Sequence, residues 1–117
     1  MAKEKVEYKP LIYICSLISD DDKDCVEKTK SYCRFALECG AIPLAPQLMF
    51  SQFIDSNVPE EKELELFMKI VLMGKCSEVW VFGENYSEAM RVEINTAKKR
   101  RQPVRYFNDY YKEVDMT

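Results

Sequence analysis

The sequence predicts an α/β protein of three layers, flavodoxin- or Rossmann-like, with a mostly parallel sheet of four to five strands and helices on both faces. Short apolar runs alternate along the chain with longer segments of helical period, and this order is typical of right-handed βαβ units. The apolar run at residues 11–16 lacks the polar alternation of a half-exposed sheet. It therefore indicates a strand that is buried on both faces.

The first half of the chain contains two predicted strands and one helix. Residues 11–16 form the first strand, and the acidic residues 20–22 suit the start of a helix, where carboxylates favour the helix dipole. Helical spacing continues to Gly40, a residue typical of the position after a helix end. Residues 41–44 form a short second strand, and Pro43 places it near the edge of the sheet or close to its own end.

A second helix follows an apolar segment of unclear structure. Residues 45–54 are apolar but show no helical or strand period. Pro59 opens the helix and Gly74 closes it. Its predicted apolar side consists of Leu64, Phe67, Met68, Val71 and Leu72.

The last predicted elements are the clearest strand, a third helix and a final strand. Residues 79–82 form the strand, and Gly83 ends it. Ser87 caps a helix that runs through Lys99. Residues 104–107 form the final strand, and the polar tail after it has no recognisable pattern.

Length and composition indicate one small domain. The 117 residues fit a single domain over 1–117, with a core at about 11–107, and 47% hydrophobic residues suffice for that core. The net charge of −3 gives no reason to expect a nucleic-acid polymer as partner. No apolar run has membrane-spanning length, and a charged segment opens the chain, so we expect a cytoplasmic protein without membrane contact.

Several kinds of chemistry are excluded by composition. The chain has no histidine, which removes Ser-His-Asp and Cys-His catalysis and any imidazole base. Its three glycines form neither a dinucleotide fingerprint nor a Walker loop. The five cysteines contain no C-x-x-C pair, so we expect free thiols, no metal site and no cofactor. The basic run 98–101 is interpreted as a solvated helix end rather than a phosphate patch.

Glu93 is the unusual residue of the third helix. Helical spacing stacks it with Ala89, Met90 and Ala97, which form an apolar row. Buried carboxylates are rare unless they are paired or functional. From spacing alone, a ligand-binding or catalytic glutamate and a structural ion pair both remain open.

The ends of the strands indicate where a ligand would bind. In open α/β sheets, ligands bind outside the carboxyl ends of the strands, where the strand order reverses. The candidate loops are those that begin at Ser16 and at Gly83.

Residues 87–97 (SEAMRVEINTA) resemble the signature helix of the nucleoside 2-deoxyribosyltransferase superfamily, which includes deoxynucleoside monophosphate N-glycosidases. The opening strand with Tyr13 and the apolar strand before the signature are similar as well, and the likeness extends over residues 11–107, closest to a bacterial and phage branch. The resemblance implies that Glu93 attacks the anomeric carbon of a deoxyribose and that Tyr13 orients it by a hydrogen bond.

The same resemblance implies a substrate site. Ser87 and the N–H groups of its helix would hold a phosphate or sugar oxygen, although a plain N-cap is the alternative for Ser87. The chain has Lys69 where the family carries the acid that protonates the leaving base, with Glu65 one turn earlier as a possible substitute. The substrate-binding candidates are Ser87, Ser16, Gly83, Ala89 and Met90.

Three functions follow as hypotheses. The first is N-glycosidic bond cleavage or base exchange on a nucleoside or nucleotide derivative, through Glu93. The alternative is a non-catalytic module that binds a nucleotide-derived ligand, and a structural oligomer with no small-molecule role ranks last. We also expect a homo-oligomer, dimer or larger, in which the apolar residues 48–54 are ordered by a second subunit or cover the pocket, unless they pack into their own core.

Overall fold

The computed structural model describes residues 8–18 and 23–115 of the chain. The acidic residues 20–22, predicted to open the first helix, lie outside these ranges. The described elements are, in chain order, β1 (Leu11–Cys15), α1 (Lys23–Glu38), β2 (Ile42–Leu44), α2 (Pro46–Phe50), α3 (Pro59–Met73), β3 (Glu78–Phe82), α4 (Glu88–Lys99), β4 (Val104–Phe107) and β5 (Glu113–Val114).

The sheet has five strands in the order β2-β1-β3-β4-β5. The β1–β2, β1–β3 and β3–β4 pairs are parallel, and only the β4–β5 pair is antiparallel. The predicted α/β class and mostly parallel sheet are therefore confirmed. β2 lies at an edge, as Pro43 indicated, because proline cannot donate to a second neighbour.

Alternate residues of the two central strands enter different apolar clusters. Tyr13 and Cys15 of β1 pack with residues of β3, α3 and α4. Ile12 and Ile14 pack with Trp80 of β3 and with residues of α1. All four β1 residues are buried, which explains why this strand is apolar at every position.

Glycine and serine set the ends of two helices. Gly40 follows α1 with φ +91°, a conformation that is strained for a residue with a Cβ atom. The Ser87 side chain accepts a hydrogen bond of 3.1 Å from the backbone N–H of Met90 and caps α4. The basic residues Lys98 and Lys99 occupy the last turn of α4, where cations favour the helix dipole.

The prediction for the apolar side of α3 is wrong for three of its five residues, while Met68 and Leu72 are half-buried as expected. Leu64, Phe67 and Val71 are exposed, whereas Lys69 and Met73 are the buried residues of this helix. The cause is tertiary, because the Lys69 ammonium turns inward to a carboxylate on α4. An interaction of this kind overrides the hydrophobic pattern of one helix taken alone.

The apolar segment at residues 45–54 divides into a buried and an exposed part. It contains the short helix α2, which places Phe50 in the interior. Phe53 stands in edge-to-face contact with Phe50 but is itself exposed, as is Met49. The segment thus packs into its own fold through Phe50 and leaves two apolar side chains at the surface.

Candidate active site

Glu93 lies in the interior, and only 3% of it is exposed. It occupies the middle of α4, and Met90, Ile94 and Ala97 are the other buried residues of that helix. The predicted apolar row is therefore the inner face of α4, and a carboxylate points from it toward the sheet. Burial of a charge at this depth requires partners.

Tyr13 is the first partner of Glu93. Its hydroxyl, on the fully buried side chain in β1, donates a hydrogen bond to Oε2 of Glu93. Burial, and then the nearby Glu93 charge, raise the pKa of Tyr13 well above 10. The phenol is therefore protonated at neutral pH, so it acts only as a donor toward the carboxylate.

Lys69 is the second partner. Its Nζ lies 3.5 Å from Oε1 of Glu93, and both side chains are almost fully buried. The two oxygens of Glu93 thus have different partners, a neutral hydroxyl and an ammonium. The sequence placed Lys69 at the position of the family acid but did not reveal this ion pair, because the hydrophobic pattern turned Lys69 outward.

Opposing effects act on the protonation of Glu93. Burial raises its pKa, the Lys69 charge and the Tyr13 hydrogen bond lower it, and Glu65 raises it slightly, so that the pKa stands above its ordinary value. Cys15 belongs to the same environment, since burial and the Glu93 charge raise the pKa of its thiol while Lys69 lowers it. Cys15 is therefore an unreactive thiol beside the carboxylate.

A second polar cluster follows the end of β1. The hydroxyls of Ser16 and Thr29 share a hydrogen bond of 2.7 Å. The side-chain amide of Gln47, on α2, donates to the Ile14 carbonyl at 2.8 Å and to the Ser16 hydroxyl at 3.2 Å. The Gln47 carbonyl oxygen is buried and has no hydrogen-bond partner among the described residues, so it can accept from a ligand or a water molecule.

Gln47 and Thr29 were not among the residues chosen from the sequence. Gln47 is the first polar residue after a mostly apolar run that begins at Ala41. A polar side chain at that position was the feature of the sequence that could have indicated a site residue. Thr29 is buried on the inner side of α1, where its hydroxyl forms a hydrogen bond with Ser16.

The remaining predicted site residues are not joined to Glu93 by a hydrogen bond within the described chain. Ser87 caps α4, Met90 is a core side chain and Ala89 is half-buried on the same helix. Gly83 adopts φ +90° after β3, and a Cβ atom there would lie 3.8 Å from the Asp109 carboxylate. The structure thus unites Tyr13 with Glu93 directly and places Ser16 in the second cluster.

Two surface cavities lie elsewhere. One of about 620 Å³ lies beside β4 and β5, and one of about 270 Å³ lies between α1 and the loop after β4. Neither is lined by Glu93 or Tyr13. The Glu93 carboxylate instead contacts the Tyr13 hydroxyl and the Lys69 ammonium.

The described part of the chain contains no group of three or more cysteine, aspartate or glutamate side chains that could hold a metal ion. None of its helices has both the length and the apolar character needed to cross a membrane.

Residues 10–107 match a protein family described as a domain of unknown function, DUF7768. This chain is a member of the DUF7768 family. The match includes both clusters, from Tyr13 and Ser16 to Glu93. No curated protein and no solved structure matches the chain.

Proposed function

We propose that this DUF7768 protein cleaves or exchanges the N-glycosidic bond of a nucleoside or nucleotide derivative, with Glu93 as the nucleophile. The observation that carries the proposal is the setting of Glu93, a buried carboxylate held by the Tyr13 hydroxyl and an ammonium. Each carboxylate oxygen has one partner and keeps a further lone pair for attack. The resemblance of residues 87–97 to the nucleoside 2-deoxyribosyltransferase signature supports the same role.

The proposed reaction proceeds through an oxocarbenium-like transition state. A Glu93 oxygen forms a bond to the anomeric carbon while the bond between that carbon and the base nitrogen breaks. The electron pair of the broken bond leaves with the base. The base nitrogen takes up a proton from the Lys69 ammonium. Attack by water, or by a second base, then releases the sugar and restores the carboxylate, and the proton of the attacking group returns to the Lys69 amine.

The partners of Glu93 have distinct roles in this proposal. Tyr13 fixes the orientation of the carboxylate through its hydrogen bond. Lys69 stands at the position of the family acid, and we assign to its ammonium, 3.5 Å from Oε1 of Glu93, the proton for the leaving base. The Gln47 carbonyl oxygen, which lacks a donor, would accept from a sugar hydroxyl or a base amine.

The finer architecture belongs to the same proposal. We place the chain with the three-layer, flavodoxin-like folds. The strand order β2-β1-β3-β4-β5 and the division of β1 side chains between α1 and the α3–α4 pair support this placement. In such folds the end of β1 faces the ligand, which is where Ser16 and Gln47 meet.

A non-catalytic binding module is the second candidate. It is favoured by the Lys69–Glu93 ion pair, because a neutralised and enclosed carboxylate can serve structure alone. In that case the chain holds a nucleotide-derived ligand through the Ser16–Gln47 cluster without turnover.

The two candidates are separated by incubation with a panel of nucleosides and nucleotides, followed by chromatography of the released base. Catalysis predicts base release by the native chain and its loss, by several orders of magnitude, in Glu93→Gln. The matched control is Glu88→Gln, an exposed glutamate on the same helix, which should keep the native rate. Thermal stabilisation by a nucleotide without base release would support the binding module instead.

A further inference from the structure

Helix α3 carries an apolar stripe on its outer surface. Leu64, Phe67 and Val71 are 48%, 65% and 46% exposed. Their spacing of three and four residues aligns them on one side of the helix, in the pattern of a helix–helix seam. None of the described residues buries this stripe.

The stripe cannot be buried by turning the helix. The inner side of α3 presents Lys69 and Met73, and the Lys69 ammonium neutralises Glu93. A rotation that brought Phe67 inward would leave the Glu93 carboxylate buried without its ion-pair partner, which is strongly unfavourable. The stripe can therefore be covered only from outside the chain's own core.

We propose that a second copy of this chain covers the stripe, with the two α3 helices packed antiparallel about a two-fold axis. The two-fold axis passes between Phe67 and Met68. A residue that precedes this point therefore faces the residue of the partner subunit that follows it by the same number of positions. Leu64 then faces Val71 of the partner subunit, and the two Phe67 rings meet near the centre. Such an interface is self-complementary, as two-fold symmetry requires.

The charges at the two ends of the stripe fit this arrangement and no parallel one, with Glu60 in the first turn of α3 and Lys75 in the turn that follows the helix. On the same register Glu60 lies opposite Lys75 of the partner subunit, so that two ion pairs flank the apolar centre. Glu60 and Lys75 are exposed, and neither takes part in a salt bridge within the described chain. A parallel pair would place Glu60 and Glu61 against their own copies, which like charges disfavour.

The dimer restrains the helix that supplies Lys69 and does not depend on the proposed function. Helix α3 contacts Glu93 on its inner side and the second copy on its outer side. Dimer formation therefore fixes the rotation of the helix about its axis.

Sedimentation equilibrium tests the dimer over protein concentrations from about 1 to about 100 µM, where interfaces of modest size associate. The native chain is expected to approach twice its mass of 13.8 kDa. Phe67→Glu should weaken the dimer at least about tenfold, because it places two charges at the apolar centre. The matched control is Leu37→Glu, a 46% exposed apolar residue on α1, which should leave the dimer intact.

A charge exchange tests the antiparallel register. Glu60→Lys and Lys75→Glu should each weaken association several-fold, and the double variant should recover it, because the exchanged charges again lie opposite each other. Circular dichroism monitors the fold of each variant, and all these positions are exposed. A native chain that stays monomeric, a Phe67→Glu chain that still dimerises, or a double variant weaker than both single ones would overturn the proposal.

Discussion

Glu93 is stable in the interior only because two side chains from other elements reach it. The Tyr13 hydroxyl comes from β1 and the Lys69 ammonium from α3, while burial works against the charge and raises the pKa of the carboxyl. The sequence revealed Glu93 and Tyr13, because a carboxylate in an apolar row is conspicuous and the resemblance supplied its partner. It did not reveal the Lys69 ion pair, because no local pattern marks a lysine that turns inward.

Removal of the ammonium should leave Glu93 uncompensated. Lys69→Met is expected to lower the free energy of unfolding by about 3 kcal/mol at neutral pH. Without Lys69 the pKa of Glu93 rises further. The Lys69→Met chain should therefore be most stable at pH values below the ordinary pKa of a glutamate. Its free energy of unfolding should decrease as the pH rises through the raised pKa of Glu93. Urea unfolding at several pH values measures both effects.

Two further variants make the Lys69 experiment decisive. Lys69→Met combined with Glu93→Gln should recover most of the lost stability and flatten its pH dependence, because no buried charge remains. Lys62→Met, at an exposed position of the same helix, should change little. A Lys69→Met chain as stable as the native one at neutral pH would show that the ion pair does not contribute to the free energy of unfolding.

The Tyr13 hydroxyl should have a separate effect. Tyr13→Phe keeps the ring in the core but removes the donor to Oε2 of Glu93, and the expected loss is about 1–3 kcal/mol of unfolding free energy. Tyr86→Phe is the matched control, since Tyr86 packs against the same cluster while only partly buried. Equal losses in the two variants would contradict a specific role for the Tyr13 hydrogen bond.

At the scale of elements, the sequence predicted long or strongly marked segments and missed short or unusual ones. Strands β1 and β3 were evident because β1 is apolar throughout and β3 is apolar after Glu78. Helix α2 spans five residues and β5 spans two, too few to show a period. The outward stripe of α3 was assigned to the core because an amphipathic pattern identifies a helix face but not what that face contacts.

The N-cap of α4 provides a prediction for one element. Ser87→Ala should lower the free energy of unfolding by about 1 kcal/mol, because the N–H of Met90 loses its acceptor. Ser87→Asp should keep the cap and the stability, since aspartate is an equally good N-cap.

The same pair of variants separates capping from ligand binding. If Ser87 also holds a phosphate or sugar oxygen, Ser87→Asp should lose nucleotide binding in a thermal-shift assay despite normal stability, because its charge repels the ligand. Unchanged binding in Ser87→Asp would leave Ser87 with the capping role alone.

At the scale of the whole molecule, buried thiols and phenols determine stability in alkali. Burial raises the pKa of Cys76 to about 11 and that of Tyr32 to about 12. The unfolded chain releases these protons at lower pH than the folded one, so the folded state binds more protons in this range. The melting temperature should therefore decrease as the pH rises from about 9 toward 12.

Substitution of one thiol tests the alkaline prediction. Cys76→Ala should give a shallower decrease of the melting temperature between the ordinary thiol pKa of 9.0 and about 11. Cys39→Ala is the control, because Cys39 is exposed and should leave the slope unchanged. Identical slopes for the native chain and Cys76→Ala would contradict the assignment of this loss to Cys76.

The most direct test of Glu93 as nucleophile is intact-protein mass spectrometry after acid quenching of a reaction with 2′-deoxynucleotides. The account predicts an added mass equal to the deoxyribose phosphate moiety, located on the peptide that contains Glu93, in the native chain and in Glu88→Gln but not in Glu93→Gln. Base release without an adduct, at a rate that Glu93→Gln does not change, would contradict it.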